Sequence, residues 1–475
     1  MSHKALKIIT DETGILCLYA FLILLPLTYA LQVISGRPEV AILTYAFLIV
    51  SYIQLFRQRH QSQRLLPFTR SLVDFLPLGF SFLLIHHVVS AGDALLAGDF
   101  QMAVRGMLLF TLPLLLFWLV QELRSVELKM ILVLLSILGG LVSCELLYEN
   151  FSARILESPT VFQLFNRDYI LARNGVELKQ FWITSQRPPG LLEHVHAVTY
   201  FAAFAALANA VLFCLEGRWR WLLGMCVCAA ALLAHGVRLP VVAAMITFAL
   251  LTAVVYKREH RKDIRKRGIW IFLALVALVL IQLFVDPLGT SKIYYWPVFL
   301  SGDFQIEDAT TSQYVVNEST RLINISAWGD LLTGQQTNLL VAAFGHGIVG
   351  SLNGIEGTSD DLFLLSILSQ YGLLGALIFF GIWLLAIYCA ILGLMRVSTV
   401  DDDERAALYF ATGVFIILAV SMLHSGVLQR KVIYPYFPLV AGIVWRYVRL
   451  DKYKAKSCPA GGDKLPRVSE TRRTI

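Results

Sequence analysis

Apolar runs long enough to cross a bilayer recur along the whole chain, and nothing constrains its fold more. A helix rising 1.5 Å per residue needs roughly 20 apolar residues to cross about 30 Å of hydrocarbon. Backbone amides find no water in that layer, so such runs adopt helices, whose hydrogen bonds close within the segment. Spans are therefore expected near 14–34, 41–56, 72–91, 104–120, 129–147, 195–215, 219–234, 239–255, 268–285, 373–395, 406–423 and 431–446, about twelve in all. A share of 57% hydrophobic and 15% charged residues, with a mean hydropathy of +0.67, excludes an ordinary soluble chain. The first apolar run is too long for a signal peptide and no small-residue cleavage site follows it, so it is expected to remain as an anchor.

Lys and Arg set the expected orientation, because they accumulate in cytoplasmic loops. Segment 257–267 holds seven basic residues in eleven, and loop 57–71 adds Arg57, Arg59, Arg64 and Arg70 without an acid. The tail from 447 adds Arg449, Lys452, Lys454 and Lys456. These segments fall on one face if both termini are cytoplasmic. The net charge of +7 is then a topology signal, and no nucleic-acid partner is implied. Cys17, Cys144, Cys214, Cys226, Cys228 and Cys389 lie in spans and Cys458 in the tail, which leaves no outer disulfide framework. No metal site is expected either. Cys226 and Cys228 point to different sides of a helix, and no outer D-x-D or spaced His pair occurs.

Against this bias, Arg187, Arg238, Arg321 and Arg430 fall on or near the opposite, outer face. Positive charge is scarce there, so a cluster of it points to a bound anion. Two outer segments are also too long to be plain connectors. Segment 148–194 ends in Ser185-Gln186-Arg187-Pro188-Pro189-Gly190-Leu191, with His194 and His196 at the mouth of the next span. Segment 286–361 carries nine acids against Lys292 and Arg321. Leu322, Ile325, Trp328, Leu331 and Leu332 recur there at helical spacing, which predicts a helix near the membrane surface. The glycine-punctuated run Phe344-Gly345-His346-Gly347 follows, then Thr358-Ser359-Asp360-Asp361 and an apolar stretch to Gln370 that either joins the next span or stands apart.

Simpler roles stand beside the functional ones. Asp360 or Asp361 is a good helix N-cap. Arg238 can snorkel, Arg321 can pair with Glu318, and Arg430 can anchor at the interface. His86, His87 and His424 read as structural. Glu145 inside a span is expensive unless paired or facing water, and its partner is not readable from the sequence.

The ordered run Arg321…Trp328…Phe344-Gly345-His346-Gly347…Ser359-Asp360-Asp361-Leu362-Phe363-Leu364…Tyr371-Gly372-Leu373-Leu374-Gly375 resembles the C-terminal module of the O-antigen polymerase/ligase family. Upstream, Arg187-Pro188-Pro189-Gly190-Leu191-Leu192-Glu193-His194 resembles that family's R-x-x-G lead into a span. His235-Gly236-Val237-Arg238 resembles its S-R element, with Val237 where Ser is usual. The resemblance covers about 185–395. The ligase branch carries a histidine at a fixed distance before the G-x-x-G step. Strict spacing puts Asp361 there, and one inserted residue puts Asp360 there. This departure places a polymerase ahead of a ligase.

The resemblance implies an all-α polytopic membrane protein with about twelve transmembrane helices and a large helical periplasmic loop, similar to GT-C membrane glycosyltransferases. Its organisation would be N-terminal helices over 1–147, a periplasmic loop over 148–194, and central helices over 195–285. A large loop with a re-entrant or surface helix would fill 286–372, with C-terminal helices over 373–446 and a disordered basic tail over 447–475. The chain would lie in the bacterial inner membrane with both termini cytoplasmic. The implied reaction is metal- and cofactor-independent polymerisation of oligosaccharide repeat units carried on undecaprenyl pyrophosphate at the periplasmic face. A chain-length regulator is an implied partner. Guanidinium groups suit the pyrophosphate because they stay ionised and bind its oxygens in a bidentate fork. Arg187, Arg238, Arg321, Arg430 and His194 would bind substrate, with Asp360, Asp361 or His346 as base. The alternatives are a ligase or protein O-oligosaccharyltransferase of the same family, and a transporter or flippase. A transporter should show internal repeats and charges buried in its spans. No convincing repeat is visible, and the polar residues gather in outer loops.

Overall fold

The computed structural model describes residues 3–37, 39–59, 72–154, 190–192, 195–235, 238–259, 261–285, 343–345, 363–395, 401–421 and 432–457. Among them there is no strand. The helices are α1 His3–Ser35, α2 Val40–Arg59, α3 Phe75–Leu96, α4 Phe100–Glu122, α5 Ser125–Arg154 and α6 Val195–Glu216. They continue as α7 Trp219–His235, α8 Arg238–Arg258, α9 Lys262–Phe284, α10 Phe363–Met395, α11 Asp402–Ser421 and α12 Tyr436–Ser457. Among the described residues eight helices are long and apolar enough to cross a membrane, and two shorter ones, Val40–Phe56 and Trp219–His235, are also apolar. The chain is an all-α, polytopic membrane protein.

Packing centres on α6, whose apolar window is entirely buried. Ala202, Ala203, Ala205, Ala206 and Ala208 let neighbouring backbones close in, as small residues do where lipid removes the hydrophobic drive between helices. Gly139 of α5 fits directly against Ala205, where a β-carbon would not. A second core is aromatic. Phe80 stacks on Phe117 at 4.3 Å, and Trp383 stacks on Phe437 at 4.8 Å, joining α3, α4, α10 and α12. Within α4 a π turn at Met107–Thr111 precedes Pro113, whose missing N–H leaves the helical ladder short of a donor.

One end of the bundle is tied by charge. Lys129 bridges Glu216 at 3.1 Å and Asp403 at 2.9 Å, joining the start of α5, the end of α6 and the start of α11. Arg405 meets Glu259 at 3.0 Å, and Arg261 meets Asp402 at 2.8 Å, which adds the α8–α9 turn. Hydrogen bonding to Asp402 also pushes the Arg261 pKa up. Arg267 donates to the Leu215 carbonyl at 2.9 Å, satisfying an acceptor that the end of α6 leaves open. Arg446 of α12 likewise donates to the carbonyls of Val120 and Leu123.

Several helices depart from the expected spans: α1 starts at His3, and α12 runs on to Ser457, into the tail expected to be disordered from 447. α5 runs on to Arg154, beyond the expected end at 147, because its polar outer turns are buried by protein. α10 is two helical stretches, one on each side of Gly372, so the apolar stretch before it is a helix of its own that abuts the next span. The junction is a kink at Gly372, with φ 64° and ψ −173°.

Candidate functional site

Arg238 opens α8, with Pro240 in the first turn, at the end away from the ion pairs that hold the far end of that helix. Arg187, His194, Arg321, His346, Asp360, Asp361 and Arg430 lie outside the described residues. His196, next but one to His194, is in the first turn of α6. Described segments that adjoin the candidates in sequence form two glycine turns at the end opposite the charge network.

The first turn is Gly190–Leu192, three residues past Arg187. Gly190 takes φ 63°, a region open to glycine without steric penalty. A β-carbon there would lie 3.2 Å from Glu145 Oε2 and 3.3 Å from Val198 Cγ2, so the turn is wedged between α5 and α6. Glu145 and Glu149 are one helical turn apart on α5. Their carboxyls face each other beside the backbone N–H groups of Leu191 and Gly190, without reaching good hydrogen-bond geometry. Among the described residues none of these four oxygens has a hydrogen-bond partner, so Glu145 gains a neighbour in Glu149 but no partner. Glu149 and its neighbour Asn150 are almost fully buried.

The second turn is Ala343-Phe344-Gly345, which leads directly to His346. Gly345 has φ 74°, and its position allows a backbone-on-backbone crossing with Gly372. A β-carbon on Gly345 would stand 2.5 Å from the carbonyl of Gln370 and the nitrogen of Gly372. One on Gly372 would strike Ala343 and Phe344. Two side chains of α3 grip this crossing. His86 Nε2 bonds the Phe344 carbonyl at 2.8 Å, and His87 Nε2 bonds Tyr371 Oη at 2.8 Å. Tyr434, at the start of α12, packs against His87 and against Phe110 beside the π turn.

His86 and His87 are thus structural, as expected, but their partners belong to the two glycine motifs. Adjacent histidines in an apolar span are a sequence signal for such a role, since buried imidazoles need partners. So is a pair of glutamates spaced i, i+4 near the end of one. The chemistry available here is backbone geometry held rigidly at one end of a membrane bundle, with arginine, histidine and aspartate in the adjoining sequence. Comparison with known proteins finds no family model that matches this chain, and no curated protein that matches it.

Proposed function

We propose that this chain polymerises oligosaccharide repeat units carried on undecaprenyl pyrophosphate, at the periplasmic face of a bacterial inner membrane. The observation that carries the reading is the crossing of Gly345 and Gly372. These glycines belong to two separate motifs of the resemblance, and the fold brings them into contact. The other support is sidedness. The start of α8 at Arg238, the Gly190 turn after Arg187 and the Gly345 turn before His346 share the end opposite the basic network. By the positive-inside bias the basic end is cytoplasmic, which puts these elements outside. All of α1 to α12 would then serve as spans, with both termini inside.

In the proposed reaction an acceptor hydroxyl oxygen attacks the anomeric carbon of the donor glycan. A new glycosidic C–O bond forms as the bond from that carbon to the pyrophosphate oxygen breaks. The pyrophosphate leaves with the electron pair on its carrier lipid, and the hydroxyl proton passes to Asp360, Asp361 or His346. Arginine from positions 187, 238 and 321 stabilises the charge that builds on the leaving group, the type of interaction that usually dominates such catalysis. Arg430 and His194 contribute to substrate binding.

The test is replacement of Arg187, Arg238 and Arg321 singly by Ala. Each variant should abolish polymer while leaving the amount of protein in the membrane unchanged. Full-length polymer from all three overturns the reading. Glycan analysis of a null strain separates the alternatives. Single repeat units left on the carrier or core indicate a polymerase, a bare core indicates a ligase, and substrate trapped on the cytoplasmic side indicates a transporter.

A further inference from the structure

We infer that His86 is a positioning residue: from within the membrane bundle it holds in place the Gly345 turn, which adjoins the proposed base His346 in sequence. The inference rests on the proposed function for its consequence in catalysis, but the clamp itself is independent of it. Helix α3 is apolar through most of its length, and a leucine or phenylalanine at position 86 would fill the same space. An imidazole there is costly unless it hydrogen-bonds. Its Nε2 reaches the carbonyl of Phe344, and a carbonyl only accepts, so Nε2 carries the proton. Among the described residues Nδ1 has no hydrogen-bond partner, and the bond to the turn is this side chain's one polar contact there.

The geometry around that bond is over-determined. His86 lies 5.0 Å from the Tyr371 ring and 6.0 Å from the Phe82 ring, which fixes the plane of the imidazole. Tyr371 is itself held by His87 through its hydroxyl and stacks on Phe379 at 5.5 Å. Neighbouring residues of one helix therefore hold both sides of the crossing, His86 the incoming turn and His87 the kinked helix. The Gly345 and Gly372 backbones then have no room to slide, because each already sits where a β-carbon would collide. A site on a long loop gains precision only from such support, since a displacement of about 1 Å can cost about a hundredfold in rate.

The experiment uses the full chain in lipid nanodiscs, with His86→Ala and His86→Gln. The Gln amide N–H can donate to the Phe344 carbonyl from about the same place as Nε2. Hydrogen exchange of a peptide covering 341–350 should quicken in His86→Ala and stay at the wild-type rate in His86→Gln. With a synthetic polyprenyl-pyrophosphate-linked repeat unit, kcat should fall about tenfold or more in His86→Ala with KM unchanged, and His86→Gln should restore it to within about twofold. Equal exchange in all three proteins overturns the clamp. So does a loss of kcat shared equally by Ala and Gln. Quickened exchange with an unchanged kcat overturns the positioning role. A wild-type protein inactive on this donor counts against the polymerase reading alone, and the exchange contrast then decides the clamp by itself.

Discussion

Arg405 and Glu259 show what a buried charge does in this protein. Both are nearly inaccessible, at 6% and 3% exposure, and they meet at 3.0 Å across the α8–α11 contact. Removing one partner of such a pair typically costs about 3–5 kcal/mol; here Asp402, 3.4 Å from Arg405, and the Arg261 backbone N–H, which donates to Glu259, keep a share of the contacts. Replacing both by apolar residues of similar size is often neutral or better. Arg405→Met and Glu259→Leu, each alone, should therefore lower the melting temperature of the detergent-purified protein sharply, and the double variant should recover most of it. Additive losses in the double variant would mean that each side chain acts through other neighbours. At the opposite end the buried polar groups behave differently. His86 bonds the backbone of the Phe344 turn, a contact that fixes a loop rather than pairs charges.

At the scale of elements, the crossing of Gly345 and Gly372 leaves little room for change. Gly36, Gly98, Gly345 and Gly372 all have positive φ, but a β-carbon on Gly36 or Gly98 meets nothing within 4 Å. Ala at those two positions should cost only the left-handed strain, about 1–2 kcal/mol. Ala at Gly345 or Gly372 adds collision with backbone that cannot rotate away, so these variants should lose far more folded protein, read by size-exclusion recovery and melting temperature. Parity between the two pairs would show that the crossing relaxes freely. Span positions were legible because apolar runs translate directly into helices. Helix ends were less so: the polar turn around Glu145, Glu149 and Asn150 reads as the end of a span, yet protein buries it. Gly372 reads as a boundary, and the helical backbone does break there. The motifs could be read in order along the chain. The bond that fixes one of them could not, since His86 and Phe344 are 258 residues apart and no local pattern links them.

For the whole molecule, the asymmetry between a charge-tied end and a backbone-clamped end makes its orientation testable without reference to any activity. The basic end gathers Lys129, Arg218, Arg261, Arg265, Arg267 and Arg405, most of them held by acids or by carbonyls at helix ends. Lys and Arg near span ends bias topology toward the cytoplasm, so this end should face inward. Each helix connection then predicts a side. Alkaline phosphatase, active only after export, should work when fused after Gly36 or Gly98, which join α1 to α2 and α3 to α4. It should be silent after Arg124, Gly217 or Arg261, and a fluorescent reporter that folds only in the cytoplasm should give the reverse pattern. A consistent inversion would put the Gly190 and Gly345 turns beside the cytoplasmic pool of nucleotides, where a lipid-diphosphate donor already flipped outward cannot reach them. The polymerase reading would then fail while the fold stood unchanged. An alternating pattern in the expected sense, carried through an even number of spans, would also put both termini inside.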